Sequence, residues 1–280
     1  MYDTHCHLNF RAFADDYHDV IKHSLEKEMF LNIVGTQYET SLRAVEIAEE
    51  FADAPVYASV GLHPSHLEKS HDPEEGDEDI RAWDYEKYKK LGLHPKVVAI
   101  GETGIDRFRL SENGNEKERV LKKQREVFEE HIRLALELQK PLIIHCRPSR
   151  GTFDAYEDLI SIITRYSLHG VVHCFLGNWQ IAEQILRLGL YISFTGIITF
   201  KNADAHLLDV VKKIPLERIL IETDAPYLTP EPYRGKKRCE PLDVRYVAEK
   251  IAEIKKLPAE KIIQKTAENA KKLFLSRRDA

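Results

Sequence analysis

The chain has 280 residues, of which 43% are hydrophobic and 31% charged, and its formal net charge is −5. This length is sufficient for one large domain with a substantial core, and no apolar run reaches the roughly 18 residues that a membrane-spanning helix requires. An acidic protein does not hold nucleic acid through a general basic surface, so a polyanionic substrate would require local cations. No basic segment followed by an apolar stretch opens the chain, which predicts a cytoplasmic location.

Short apolar runs alternate with helical patterns along the whole chain. The predicted strands cover residues 2–7, 30–35, 56–62, 96–102, 141–146, 170–174, 190–195 and 218–223. The predicted helices cover residues 15–28, 40–52, 80–91, 116–139, 152–166, 178–188, 203–213, 241–255 and 259–275. This alternation favours an α/β fold with a parallel sheet, and eight is the number of strands in a (β/α)8 TIM barrel. The sequence therefore predicts one TIM-barrel domain over residues 1–280.

Side chains that can bind metal recur at the ends of the predicted strands. His5 and His7 lie two residues apart in the first strand, so both imidazoles point to the same face. Four later strands end in a further candidate ligand, and these are Glu102, His145, His173 and Asp224. Because the C-terminal ends of the strands surround the active site of a (β/α)8 barrel, the six side chains predict a metal site at its mouth.

The four cysteines indicate neither a disulfide framework nor a zinc–thiolate site. No two of them form a C-x-x-C pair. Cys6, Cys146 and Cys174 each follow a candidate histidine ligand, so strand alternation turns them toward the helices. We expect these three to be small buried residues.

Residues 71–79 form the most acidic stretch of the chain. We interpret them as a solvated insertion after the third strand, since runs of like charge usually face water. A calcium-binding loop is the alternative, although the acidic residues do not follow the order of an EF-hand.

Six short motifs resemble, in order, those of the TatD-type metal-dependent deoxyribonucleases within the amidohydrolase-like superfamily. The motifs are Asp3-Thr4-His5-Cys6-His7, Gly61-Leu62-His63-Pro64, Gly101-Glu102-Thr103-Gly104-Ile105-Asp106, His145-Cys146-Arg147, His173-Cys174-Phe175 and Glu222-Thr223-Asp224-Ala225-Pro226-Tyr227-Leu228. The resemblance implies a (β/α)8 barrel, a divalent-metal site and hydrolysis of DNA phosphodiester bonds, commonly from a 3′ end. It places the six candidate ligands at the metal positions, Arg147 where a substrate phosphate is held and His63 at the edge of the site.

The chain departs from the family pattern at three places. Arg107 follows Asp106 where many members have an aromatic residue, and Pro148 opens a different segment after Arg147. Cys239 stands where asparagine is usual. None of these departures removes a candidate metal ligand, but all three fall in loops that shape the rim of the predicted pocket.

A metal-dependent mechanism explains why these residue types occur together. Two divalent ions about 3.5–4 Å apart can neutralise a phosphodiester and activate water, and a carboxylate can bridge them. Glu102 is the expected bridge, and Asp224 is expected to bind one ion and accept the proton of the attacking water. Imidazole ligands favour zinc or manganese, whereas the resemblance points to magnesium.

A basic cluster, residues 234–238, follows the eighth predicted strand. Arg234 and Lys236 are candidate contacts for a DNA backbone, and Tyr227 and Tyr233 are candidates for base stacking. The alternative is a solvated charge run.

Three functions are compatible with these observations. The first is a deoxyribonuclease acting on DNA, as single strands or at 3′ ends, without an obligate protein partner. The second is an amidohydrolase-type enzyme for a small amide, lactone or ester. The third is a nucleic-acid or protein binding module with a structural metal, although a structural zinc site needs only four ligands.

Overall fold

The central element of the fold is a parallel sheet that curves into a barrel. A computed structural model describes residues 1–68, 70–72, 74–78, 81–108, 110 and 113–276, with 70–72 and 76–78 described by their backbone alone. The barrel strands are β1 (Tyr2–Cys6), β2 (Phe30–Val34), β3 (Val56–Val60), β6 (Val97–Asp106), β7 (Leu142–Arg147), β8 (Gly170–Val172), β9 (Tyr191–Phe194) and β10 (Ile219–Ile221). A separate antiparallel hairpin consists of β4 (Ser70–Asp72) and β5 (Gly76–Glu78).

Helices connect the successive barrel strands and surround the sheet. They are α1 (Tyr17–Glu26), α2 (Tyr38–Glu50), α3 (Tyr85–Gly92), α4 (Gly114–Glu137), α5 (Asp154–Ile163), α6 (Trp179–Arg187), α7 (Ala205–Lys213), α8 (Val244–Lys255) and α9 (Ala259–Phe274). Within the described ranges, no helix has both the length and the apolar character needed to cross a bilayer.

The first and last strands meet and close the barrel. Eight strands pair in the order β1-β2-β3-β6-β7-β8-β9-β10, and every neighbouring pair is parallel. Beyond β10, the backbone N–H of Asp224 donates to the carbonyl of His5 at 2.8 Å. The N–H of His7 in turn donates to Ala225 at 2.7 Å. These bonds place the segment after β10 directly beside the N-terminal histidines.

Residue alternation along the strands separates two buried apolar clusters. Consecutive residues Ile143 and Ile144 of β7 belong to different clusters, as do Leu220 and Ile221 of β10. Since neighbouring strand residues point to opposite faces, one cluster lies on each face of the sheet. Ile143 belongs to the cluster on the inner side of the barrel. His145 lies two residues further along β7 and so shares this face, which directs its ring to the barrel mouth.

The predicted fold is confirmed. The helix predicted over residues 80–91 begins only at Tyr85, because the side chain of Asp84 caps it there. The difference that bears on the site concerns β6. This strand extends to Asp106, four residues beyond its predicted end at Glu102. Pairing with β7 continues through Gly104 opposite His145 and Asp106 opposite Arg147. Gly104 permits this close approach, because its φ is +147° and a Cβ there would lie 2.0 Å from the His145 carbonyl oxygen. Glu102 is therefore a mid-strand residue and not a strand-end residue.

The interpretation of residues 71–79 as a solvated insertion is wrong for Glu75. The Glu75 side chain is only 4% exposed and accepts hydrogen bonds from Thr36 and Gln37 at 2.5 and 3.0 Å. The Glu74 carboxylate also accepts a hydrogen bond, from the backbone of Ala12 at 2.7 Å. Residues 73 and 79 lie outside the described residues, as does residue 80, where the helix ending at 91 was predicted to begin.

Candidate metal centre

The six predicted ligands converge at the C-terminal end of the barrel. His5 is in β1, Glu102 in β6 and His145 in β7, whereas the other three follow their strands directly or within a few residues. The side chains of His5, His7, Glu102 and His173 are at most 4% exposed. The strands thus bring together side chains from five separate parts of the sequence in one buried cluster.

One group of donor atoms is formed by His5, His7 and Asp224. The Nε2 atoms of His5 and His7 are 3.1 Å apart. Oδ1 of Asp224 lies 3.3 Å from Nε2 of His7 and 3.6 Å from Nε2 of His5. The Nδ1–H of His7 donates to the carbonyl of Val34 at 2.9 Å, which turns Nε2 toward the cluster.

A second group is formed by Glu102, His145 and His173. Oε1 of Glu102 lies 2.7 Å from Nε2 of His173 and 2.9 Å from Nδ1 of His145. The two imidazole nitrogens are 3.3 Å from each other.

Glu102 connects the two groups through its two oxygens. Oε1 faces His145 and His173, whereas Oε2 lies 3.3 Å from Nε2 of His5. One carboxylate oxygen directed to each group is the geometry needed to bridge two cations.

The electrostatics of the cluster favour ionised carboxylates. Burial alone would raise the pKa of Glu102, but the charges of His173, His63 and His5 outweigh burial and hold it well below its ordinary value. Burial likewise opposes ionisation of Asp224, and the hydrogen bond with His7 is the main cause that lowers its pKa. Both carboxylates are therefore available as anionic ligands at neutral pH.

The donor set fits a divalent metal. Among the described residues, three groups of imidazole nitrogens and carboxylate oxygens have all their possible ligand atoms within 4.8 Å of one another. The groups are His5, Glu102 and His173; His5, His7 and Asp224; and His63, Asp106 and His145. Four buried imidazoles beside ionised carboxylates require shared protons or a cation, and a cation satisfies all the lone pairs at once.

Two further carboxylates contact candidate ligand histidines, and no function was predicted for them from the sequence. Asp106 Oδ2 lies 3.1 Å from Nε2 of His145, and Glu222 Oε1 lies 3.4 Å from Nδ1 of His173. Such partners fix the orientation and tautomer of metal-binding histidines. Strand alternation, which places His5 and His7 on one face, also places Asp106 on the same face as Glu102. The position of Asp106 beside the cluster could therefore have been predicted from the sequence.

The candidate substrate contacts divide into two locations. His63 and Arg147 line the cavity beside the cluster, and Nε2 of His63 is 3.4 Å from Oε1 of Glu102. His63 also begins a short 3-10 helix, because its Nδ1 accepts from the backbone of Ser65 at 3.1 Å. Arg234 and Lys236 are exposed in the loop after β10 and are not among the residues that line this cavity.

Neighbouring side chains complete the cavity, whose volume is about 300 Å³. Tyr227 lines it and makes an edge contact with His7, with ring centroids 6.4 Å apart. Cys6 and Cys146 are buried as expected, but Cys174 is partly exposed and lines the cavity. Burial raises the pKa of the Cys174 thiol well above its usual range, so a thiolate nucleophile is not favoured.

The barrel and the cluster of histidines and carboxylates at its mouth define the class of metal-dependent hydrolases on a (β/α)8 scaffold. The model of the TatD related DNase family matches residues 2–275. The chain belongs to this family.

Individual relatives agree with this assignment. The sequence is 41% identical over 278 residues to the uncharacterized metal-dependent hydrolase YabD of Bacillus subtilis (strain 168), with 98% of each chain covered. It is 31% identical over 281 residues to the 3′-5′ ssDNA/RNA exonuclease TatD of Yersinia pseudotuberculosis serotype O:3 (strain YPIII), with 98% of this chain and 99% of the relative covered. The crystal structure of YJJV, a TatD homologue from Escherichia coli K12, gives a TM-score of 0.82 at 29% identity and covers 99% of this chain and 98% of that one.

Proposed function

We propose that this chain is a divalent-metal-dependent deoxyribonuclease that removes nucleotides from the 3′ end of single-stranded DNA. The observation that carries the proposal is the position of Glu102, with Oε2 toward His5 and Oε1 toward His145 and His173. This arrangement supports binding of two metal ions, and two-metal sites of this kind act on phosphodiesters. The names of the family model and of the Yersinia relative support a nucleic-acid substrate.

The proposed ligands of one ion are His5, His7 and Asp224, and those of the other are His145 and His173, with Glu102 between the two. Magnesium, manganese and zinc are the candidate ions. When bound, such ions supply positive charge to the phosphate and lower the pKa of water.

The substrate contacts in this proposal come from both sides of the cavity. Arg147 holds the scissile phosphate, because a guanidinium matches two phosphate oxygens at once and no carboxylate among the described residues pairs with it. His63 donates from Nε2 to a substrate oxygen, since its Nδ1 is occupied as the acceptor for Ser65. Arg234 and Lys236 provide an outer contact for the DNA backbone.

Asp224 is the proposed proton acceptor. Its side chain is 16% exposed, more than those of His5 and His7, so water can reach it. Its backbone has a φ of +60°, a sparsely populated conformation for a residue with a side chain, and is held there by the hydrogen bond to His5. The carboxylate is thus fixed at the entrance of the cluster, where a base can take the proton of the attacking water.

The decisive experiment is digestion of 3′- and 5′-labelled single- and double-stranded DNA by metal-stripped protein to which magnesium, manganese or zinc is returned. We expect metal-dependent shortening from the 3′ end, and Asp224→Ala should lower its rate by about 10²–10⁴-fold. Asp209→Ala is the matched control, because Asp209 forms a surface pair with Lys213 on α7. Absence of cleavage with every ion would overturn the proposal in favour of a small amide, lactone or ester substrate.

A further inference from the structure

Two guanidinium groups lie close to one aromatic ring near the mouth of the barrel. The Cζ atom of Arg147 lies 3.8 Å from the centre of the Phe108 ring, and that of Arg150 lies 5.2 Å from the same centre. Neither arginine has a carboxylate partner in the part of the chain that the structure describes. We call these three residues the arginine platform.

The loops that carry the arginine platform are tied together by a third arginine. Arg107 donates from Nη1 to Asp154 at 3.0 Å and from Nε to Asp158 at 2.8 Å, both on α5. Asp154 also accepts from the backbone and the hydroxyl of Ser149, at 3.0 and 2.9 Å. Arg107 is therefore neutralised and structural, and it holds the segment after β6 against the segment after β7.

The arginine platform is also connected to the metal centre. Oδ1 of Asp106 accepts from the backbone N–H of Phe108 at 2.8 Å, while Oδ2 faces Nε2 of His145 at 3.1 Å. Arg147 itself lines the cavity. Arg147 therefore connects the cavity to Phe108 and Arg150, so a strand whose scissile phosphate meets Arg147 has a way out of the cavity beside these two residues.

Stacking on an aromatic ring orders a guanidinium without using its N–H donors. Those donors remain free for a phosphate, and the ordering reduces the entropy lost when the phosphate binds. On a protein with a net charge of −5, two cations without carboxylate partners beside an acidic cluster favour an anionic ligand.

We propose that the arginine platform is a second phosphate-binding position, at which Arg150 holds the backbone phosphate next to the scissile one and directs a single strand out over β6 and β7. This inference rests on the proposed function for the chemical class of the ligand, a single-stranded nucleic acid. It assigns a role to Phe108 and Arg150, for which the sequence offered none.

The loop after β10 offers a competing exit route. Lys237 is paired with Asp243 at 2.8 Å, and Arg238 is paired with Asp16. These pairs leave Arg234 and Lys236 as the cations of this loop that have no carboxylate partner among the described residues. Tyr227 and Leu228 of this loop line the cavity, but its two cations do not. Arg147 both lines the cavity and contacts the Phe108 ring that Arg150 also contacts, so the arginine platform is the route on which a cation reaches the cluster directly.

The test is the affinity of metal-loaded protein for a fluorescent oligothymidylate with hydrolysis-resistant phosphorothioate linkages, measured by anisotropy over a series of salt concentrations. Loss of one phosphate contact should raise Kd about tenfold and reduce the slope of log Kd against log salt by about 0.7. We expect both effects for Arg150→Ala, and a smaller rise in Kd for Phe108→Leu, which removes the ring. Arg187→Ala, at an exposed residue paired with Glu183 on α6, is the matched control.

Each outcome separates this inference from the proposed function. An unchanged Kd and slope in Arg150→Ala, with the losses confined to Arg234→Ala, would overturn the arginine platform and leave a nuclease intact. Wild-type protein that binds the oligonucleotide but cleaves no DNA would overturn the nuclease, while the slope in Arg150→Ala would still decide the platform. Wild-type protein that neither binds nor cleaves DNA would overturn both.

Discussion

Among single residues, Asp106 links the candidate metal centre to the segment after β6. One oxygen faces Nε2 of His145, and the other accepts from the backbone of Phe108. Burial would raise the pKa of Asp106, but the hydrogen bond from His145 lowers it to about 2. An ionised Asp106 holds the proton of His145 on Nε2 and leaves Nδ1 free for a metal.

Replacing Asp106 by asparagine should weaken this orientation without removing a ligand. The amide oxygen can still accept from Phe108, but the amide N–H can donate to Nε2 of His145. Such a bond favours the tautomer with its proton on Nδ1, which is then not free to bind a metal. We expect the affinity for the divalent ion to fall about 10–100-fold, as calorimetric metal titration would measure. Asp209→Asn should leave the affinity unchanged, and equal affinities in Asp106→Asn and wild type would refute this role.

Among the secondary-structure elements, the β4–β5 hairpin contributes its turn to the wall of the cavity beside the candidate metal centre. Glu75, which precedes β5, and His66, which follows β3, both line the cavity, and their side chains are 3.2 Å apart. Burial opposes ionisation of Glu75, but the hydrogen bond and charge of His66 and the hydrogen bond of Thr36 hold its pKa below the usual value. An acidic insertion is thus anchored on the barrel by one buried carboxylate.

Truncation of this anchor should destabilise the protein. Glu75→Ala leaves three buried or half-buried donors, from Thr36, Gln37 and His66, without this acceptor. We expect the free energy of unfolding to fall by about 1–3 kcal/mol in urea denaturation. Glu249→Ala, at an exposed position of α8, is the control, and an equally small effect in both variants would show that Glu75 is not an anchor.

At the scale of the whole molecule, a buried histidine makes stability depend on pH. His131 on α4 is fully buried, donates from Nδ1 to the Val127 carbonyl at 2.7 Å and accepts at Nε2 from the backbone of Leu62 at 2.9 Å. Burial lowers the pKa of His131 to about 3. The neutral ring therefore joins a helix to the segment after β3.

The unfolded chain binds a proton at this histidine below its usual pKa of about 6.5, whereas the folded protein does not until the pH reaches about 3. The contribution of His131 is thus complete above pH 6.5 and declines as the pH falls through this window. We compare the free energy of unfolding of wild type with that of His131→Gln at each pH. As the pH falls from 6 to 4, the wild-type value should decrease relative to the variant by up to about 1.4 kcal/mol per pH unit. Urea denaturation at several pH values measures this difference, and parallel pH profiles would contradict the assignment.

The architecture and the side chains of the buried cluster could be predicted from the order of residues along the chain. The eight predicted strands correspond to the eight barrel strands within a few residues, apart from the longer β6, because strand character depends on neighbours in the chain. The period of two placed His5 and His7 on one face, and the positions of metal-capable side chains at the ends of later predicted strands identified the other four candidate ligands. That the whole chain forms one domain stays a prediction.

The pairing of polar side chains between distant segments became visible only in the folded barrel. Glu75 lay in an acidic run and proved to be buried, and Arg238 lay in a basic cluster and proved to be paired with Asp16. The stack of Phe108 with Arg147 joins the segment after β6 to the end of β7 in the same way. Such pairings depend on residues far apart in sequence whose distance is set by barrel closure, so no local pattern of charge or hydrophobicity encodes them.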